Sequence, residues 1–226
     1  MELYYEEKGK GTPLVLLHGN GENHEYFRHQ IDCFSEDFRV IAPDTRGHGL
    51  SPRGDGEFSI KRFSEDLLGF LDELRVEKAN ILGFSDGGNI ALRFALDHPE
   101  RVLKLVLNGA NLFPEGVKRS TQIPIELAYK AVKKLAEKDE KVRGKAEILG
   151  LMVNEPHVSP EELKALDMPV LVIVGSRDMI RKKHSELIAK SIRKSEFVVI
   201  KGDHFIADKK PLEFNEAVSS FLKKND

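Results

Sequence analysis

Short apolar runs punctuate the chain at Leu14 to Leu17, Arg39 to Ala42, Asn80 to Gly83, Leu103 to Leu107, Val170 to Val174 and Phe197 to Ile200. Runs of this kind, apolar without alternation, predict strands buried on both faces, as in a mostly parallel sheet covered by helices. Between them, apolar residues recur at three- and four-residue spacings over Glu25 to Ser35, Ser59 to Leu74, Gly87 to Leu96, Lys182 to Ile192 and Leu212 to Leu222, which predicts helices. Strand and helix alternate, so the pattern specifies an α/β fold.

One stretch breaks the alternation. From Phe113 to Lys164 the chain is Lys/Glu-rich and mainly helical in pattern, yet it lies between two buried runs. Ile123, Leu127, Ala128, Ala131, Val132 and Leu135 make one apolar stripe, and Ile148, Leu149, Leu151, Met152 and Val153 make a second apolar patch. Either both pack on the body, or part of them roofs a substrate pocket. The expected organisation is therefore a core of residues 1–112 and 165–226 with a small helical lid, 113–164, inserted in it. No internal repeat or low-complexity tract is visible, and Lys223, Lys224, Asn225 and Asp226 predict a frayed tail.

Composition narrows the partners. With 226 residues, 40% of them hydrophobic, the chain can bury one sizeable core. Its 35 Lys+Arg nearly balance 37 Asp+Glu, and a net charge of -2 predicts no attraction to nucleic acid or to an anionic membrane. Met1 to Lys10 has no leader pattern and no apolar run could span a bilayer, so a soluble, untargeted, cytoplasmic protein is expected. Oligomeric state is not encoded in any of this. Cys33 stands alone and cannot form an internal disulfide; within an amphipathic stretch it is expected to be a small buried apolar residue.

Candidate chemistry begins at Asn80-Ile81-Leu82-Gly83-Phe84-Ser85-Asp86-Gly87-Gly88, a buried strand that enters a helix through Gly-x-Ser-x-Gly. A turn this tight strains the serine backbone and tolerates only small residues two positions either side. It lifts the hydroxyl above the end of the sheet, where N–H groups at the helix start can receive a developing oxyanion. Ser85 is thus a candidate nucleophile. Two later strands end in an acid and a histidine: Pro169-Val170-Leu171-Val172-Ile173-Val174-Gly175-Ser176-Arg177-Asp178, and Lys201-Gly202-Asp203-His204-Phe205 after Phe197 to Ile200. An early Gly-rich turn, Leu16-Leu17-His18-Gly19-Asn20-Gly21, and the segment Asp44-Thr45-Arg46-Gly47-His48-Gly49-Leu50-Ser51 precede the serine.

In this order the segments resemble the α/β-hydrolase superfamily, in particular its lid-bearing esterase and lactonase-like branch, from near the start of the chain to near Leu222. The resemblance implies the order nucleophile, acid, histidine, each on a loop after a strand. Of the eight histidines, His18, His24, His29 and His48 precede Ser85, His98 sits at a helix end, His157 in the inserted stretch and His184 within a helical pattern, which leaves His204 as general base. Asp178 is the acid that orients it. Asp203 and Asp208 are rivals too close in sequence to His204, and the other acid position, after Leu103 to Leu107, holds Asn108 and Asn111. Main-chain N–H groups of Asn20 and Asp86 are the expected oxyanion donors. His18 is expected to bond loop backbone, and Arg46 and His48 to organise the body.

The implied reaction is hydrolysis of a small-molecule carboxylic ester or lactone through an acyl-enzyme, with no cofactor and no metal. A serine in place of aspartate disfavours epoxide hydrolases and dehalogenases, and no Trp is present to bind halide. The same three residues would also serve a thioester, an amide or a C–C bond next to a ketone, and the fold alone would serve a ligand receptor. Asp86 has a second expected role, as a carboxylate that attracts a cationic group of the substrate.

Overall fold

The apolar runs assemble into one seven-stranded sheet in the order β1-β3-β2-β4-β5-β6-β7. A computed structural model describes residues 1–139 and 142–224. The strands are β1 (Tyr5–Lys8), β2 (Pro13–Leu17), β3 (Arg39–Pro43), β4 (Ala79–Phe84), β5 (Val102–Asn108), β6 (Val170–Gly175) and β7 (Ser195–Ile200). All neighbours are parallel except β1, which runs antiparallel to β3 with Tyr5 opposite Pro43. β1 is absent from the apolar pattern because it is a polar edge strand, Tyr-Glu-Glu-Lys, of a kind that discourages pairing with other chains.

The period of two sorts each strand between two cores. Val15, Leu17, Ile41, Ile81, Leu105, Leu107, Val170 and Val172 face α2 (Ile60–Glu73), α3 (Asp86–Asp97) and α6 (Lys182–Ser191). Leu14, Leu16, Val40, Leu82, Val106, Leu171 and Ile173 face α1 (Arg28–Phe34), α7 (Ile206–Lys209) and α8 (Pro211–Leu222). Each such side chain contributes about 1.5–3 kcal/mol by leaving water, which is why neither face can be left bare. Cys33 is half-buried against the second core rather than fully buried.

Between β5 and β6 lie α4 (Arg119–Ala136) and α5 (Arg143–Asn154). The two apolar groups expected there differ in fate. Leu151 of α5 is buried in the main core, whereas the α4 stripe faces solvent, with Ile123, Leu127 and Leu135 exposed at 44%, 62% and 57%. Periodicity fixes that these residues share a face, not which way the face turns; α4 rests its other side, around Gln122, Ile125 and Tyr129, toward α5. α5 is tied to the body by Glu147, which takes the Arg53 guanidinium in a forked pair, and by Glu155 just after it, which accepts the Ile60 N–H at 2.6 Å. At the other end of the chain, Lys223 and Lys224 of the expected tail pair with Asp37 and Glu196 at 2.5 and 2.6 Å, while Asn225 and Asp226 lie outside the described residues. No helix among the described residues is long and apolar enough to cross a membrane.

The strand order has a consequence for position. From β2 the chain moves outward to β3, then returns to the other side of β2 as β4, so the loops leaving β2 and β4 part in opposite directions. The carboxyl ends of those strands are thus a topological switch point, the place where open α/β sheets bind ligands.

Candidate active site

Ser85 sits at that switch point, between β4 and α3, with φ 54 and ψ -119. A positive φ is uncommon for a residue with a side chain and costs on the order of 1–3 kcal/mol, so it persists only where its surroundings enforce it. The surroundings are specific. A Cβ on Gly83 would strike the Gly87 carbonyl, and one on Gly87 would strike the carbonyls of Leu17 and His18. The Ser85 N–H donates to the Asn108 carbonyl at 2.8 Å, which pins the turn to the end of β5. The side chain is left half-buried at the start of α3.

His204 and Asp178 meet against Phe84, the residue before Ser85. His204 Nδ1 lies 2.7 Å from Asp178 Oδ1, both residues being buried. Asp178 Oδ1 also accepts the Ile180 N–H at 2.9 Å, and Oδ2 the Gly175 N–H at 3.3 Å, so the carboxylate acts only as acceptor and the Nδ1 proton belongs to histidine. The other ring nitrogen, Nε2, is buried and has no hydrogen-bond partner among the described residues, Ser85 included. The imidazole ring packs 4.8 Å from the ring of Phe84, the residue before the serine. Its other flank is set by Gly109, φ 64, where a Cβ would lie 2.7 Å from His204 Cε1. The rival acids are elsewhere engaged: Asp203 with Lys209 at 2.5 Å and Asp208 with Arg28 at 2.6 Å.

The loop after β2 closes the site from the other side. His18 bonds Gly19 O through Nδ1 at 2.8 Å and accepts the Thr45 N–H through Nε2 at 3.0 Å, and burial holds its pKa down to about 3, so it is a neutral strut. Arg46 makes two 2.6 Å bonds to buried Asp66 and two more to the carbonyls of Arg53 and Asp55, which fixes the Asp44 to Ser51 segment. Asn20 and Asp86, the expected main-chain donors, are joined by a side-chain bond, Asn20 Nδ2 to Asp86 Oδ2, at 2.8 Å.

The Asp86 carboxyl, the expected partner of a cationic substrate group, already has neighbours within the protein. It is buried, Oδ1 takes Asn89 Nδ2 at 3.3 Å, and desolvation pushes its pKa up to about 6 against the pull of Asn20, His204 and Asn89.

Glu22 escapes the sequence reading altogether. Its Oε2 accepts the Gly19 N–H at 3.1 Å, and burial pushes its carboxyl up to about 7, opposed by that N–H and by His204. A glutamate three residues past Gly19 in a polar loop carries no distinguishing signal. The folded chain keeps a proton on Glu22 that the unfolded chain releases near 4.5, so the stability this proton brings is lost as pH rises from about 4.5 to about 7. Glu22→Gln should therefore raise Tm relative to the parent protein by more at pH 8 than at pH 5. A Tm difference independent of pH in differential scanning fluorimetry would remove Glu22 from the buried titrating groups.

A sequence profile of the α/β hydrolase fold matches residues 12–142. The chain belongs to the α/β-hydrolase family. Among relatives of this hydrolase, 2-hydroxymuconate semialdehyde hydrolase of Pseudomonas putida is 42% identical over 107 residues, 46% of this chain and 38% of that protein. The match thus spans well under half of that relative's length. Solved structures align over nearly the whole chain. A thermophilic esterase from Thermogutta terrifontis superposes with a TM-score of 0.81 at 26% identity, covering 98% of this chain and 93% of that one. A meta-cleavage product hydrolase from Pseudomonas fluorescens IP01 gives 0.80 at 28% identity, covering 97% and 93%.

Proposed function

We propose that this α/β hydrolase cleaves a small carboxylic ester or lactone through an acyl-enzyme, with Ser85 as nucleophile, His204 as general base and Asp178 as the acid that orients it. The observation that carries this reading is the 2.7 Å bond from His204 to Asp178, with the imidazole packed on Phe84 and the next residue, Ser85, held at φ 54. With Nδ1 committed to Asp178, Nε2 is the basic nitrogen that takes the Ser85 proton as Oγ attacks the carbonyl. The tetrahedral oxygen is received by the N–H groups of Asn20 and Asp86, fixed before charge develops. The imidazolium then protonates the leaving alcohol, and neutral His204 activates the water that hydrolyses the acyl-enzyme. The residue 113–164 segment acts as a lid, its half-buried α5 face, including Ile148, set over the loop that carries Asn20.

A second reading is hydrolysis of a C–C bond next to a ketone by the same residues. The names of two relatives favour it, the 2-hydroxymuconate semialdehyde hydrolase and the meta-cleavage product hydrolase. A panel of p-nitrophenyl esters, lactones and vinylogous 1,5-diketones, compared by kcat/KM, decides between them. The ester reading expects a burst of p-nitrophenol equal to enzyme concentration wherever deacylation is the slower step. Turnover of the diketone alone would replace it.

A further inference from the structure

Asn20 offers more than a main-chain N–H. Its side-chain nitrogen donates to Asp86 Oδ2 and to the Ile148 carbonyl of α5, each at 2.8 Å. A main-chain carbonyl can only accept, so the amide must present its nitrogen there, and its two protons account for the two bonds. One planar group therefore joins the loop after β2, the first residue after the nucleophile and the inserted segment. The network continues from Asp86 through Asn89 to Asn111, whose Nδ2 reaches the Phe113 carbonyl at 3.0 Å. It thus begins at α5 and ends at the root of the same insertion.

We infer that the Asn20 side chain is a positioning residue that couples the docking of α5 to the placement of the two oxyanion donors. The inference rests on the acyl-enzyme reading above. Those donors are the N–H groups of Asn20 and Asp86, and the bond between their side chains sets how far apart they stand. When α5 lifts away, one amide proton loses its acceptor, and the side chain that spaces the donors is released to reorient. Docked α5 and a formed oxyanion hole are then one state, and an open α5 accompanies a hole out of register. Because a donor out of place is felt in the transition state more than in substrate binding, the effect falls on kcat.

The test compares the parent protein with Asn20→Ala, Asn20→Asp, Glu147→Gln and the combination of Asn20→Ala with Glu147→Gln. Steady-state hydrolysis of p-nitrophenyl acetate is measured alongside hydrogen exchange of the α5 amides. Asn20→Ala should lower kcat at least about tenfold while KM moves by less than about threefold, since losing an oxyanion donor outright costs about 10²–10³. Asn20→Asp keeps the size but offers no proton, and should do at least as badly. Exchange over α5 should quicken in both variants. Glu147→Gln loosens α5 from Arg53 without touching Asn20, so its loss of kcat should be smaller, and the combined variant should lose less than the product of the single losses. An unchanged kcat in Asn20→Ala, an effect confined to KM, or a combined loss equal to the product would each overturn the coupling. Should Asn20→Ala not fold, Glu147→Gln alone decides: quickened α5 exchange with kcat unchanged refutes the coupling, and with kcat lowered supports it. Ser85→Ala is the separate control, for if it still turns over ester the acyl-enzyme reading falls, while α5 exchange reports the Asn20 contact independently.

Discussion

Ser85→Ala is expected to remove ester turnover by a factor on the order of 10⁶, and His204→Ala by a similar factor, because each alone disables the same proton-coupled attack. The two together should lose scarcely more than either. The physical reason lies in the geometry: Nε2 has no partner among the described residues, and in the proposed mechanism it exchanges a proton with the hydroxyl brought to it, so that without either group the other has nothing to do. A fluorophosphonate probe read by mass spectrometry should mark Ser85 in the parent protein and no residue in Ser85→Ala. Multiplying losses in the double variant, or labelling that moves to another serine, would break the assignment.

Asp178→Asn is expected to lower kcat/KM by on the order of 10²- to 10⁴-fold. The direction of the amide can be worked out. The Oδ1 position receives two N–H groups, from Ile180 and His204, at 2.9 and 2.7 Å, whereas Oδ2 receives one at 3.3 Å from Gly175. The asparagine oxygen therefore stays at the Oδ1 position and keeps the tautomer, with its NH₂ opposed to the Gly175 N–H. What is lost is the negative charge that stabilises the imidazolium, so the fall should appear in kcat with Ser85 still slowly reactive to the probe. Asp203→Asn and Asp208→Asn should stay near full activity, since both carboxylates pair with surface cations. A large loss in either, with Asp178→Asn active, would transfer the acid role.

The inner parallel strands were readable from sequence because burial on both faces writes itself as an uninterrupted apolar run, and β7 carries such a run in Phe197 to Ile200 although it is a partly exposed edge strand. β1 was not readable, because this edge strand is polar for the sake of staying unpaired. The α4 stripe shows the limit of periodicity: Ile123, Leu127 and Leu135 do share a face, but whether that face meets protein or water depends on the partner, here α5, which touches α4 on its opposite side. Chain order brought out Ser85, Asp178 and His204 because the strand-to-helix serine comes with a fixed succession of loops. The Asn20 to Asp86 bond joins positions 66 residues apart, and Glu22 acquires its unusual proton only through burial. Neither depends on local pattern, so neither leaves a mark in it.

The glycines of the elbow have a bearing on how this chain can drift. Gly83 and Gly87 touch no substrate in the proposed mechanism, yet each is hemmed in by main-chain carbonyls that no rotamer can move aside. What a side chain at these two positions would decide is whether β2, β4 and α3 can approach at all, whatever the reaction. Gly109 belongs with them, since a methyl group there would collide with the imidazole. A side chain at any of the three would displace main chain or the imidazole, so the crossing of backbone beneath the serine is a steric requirement of the elbow itself, whatever the substrate.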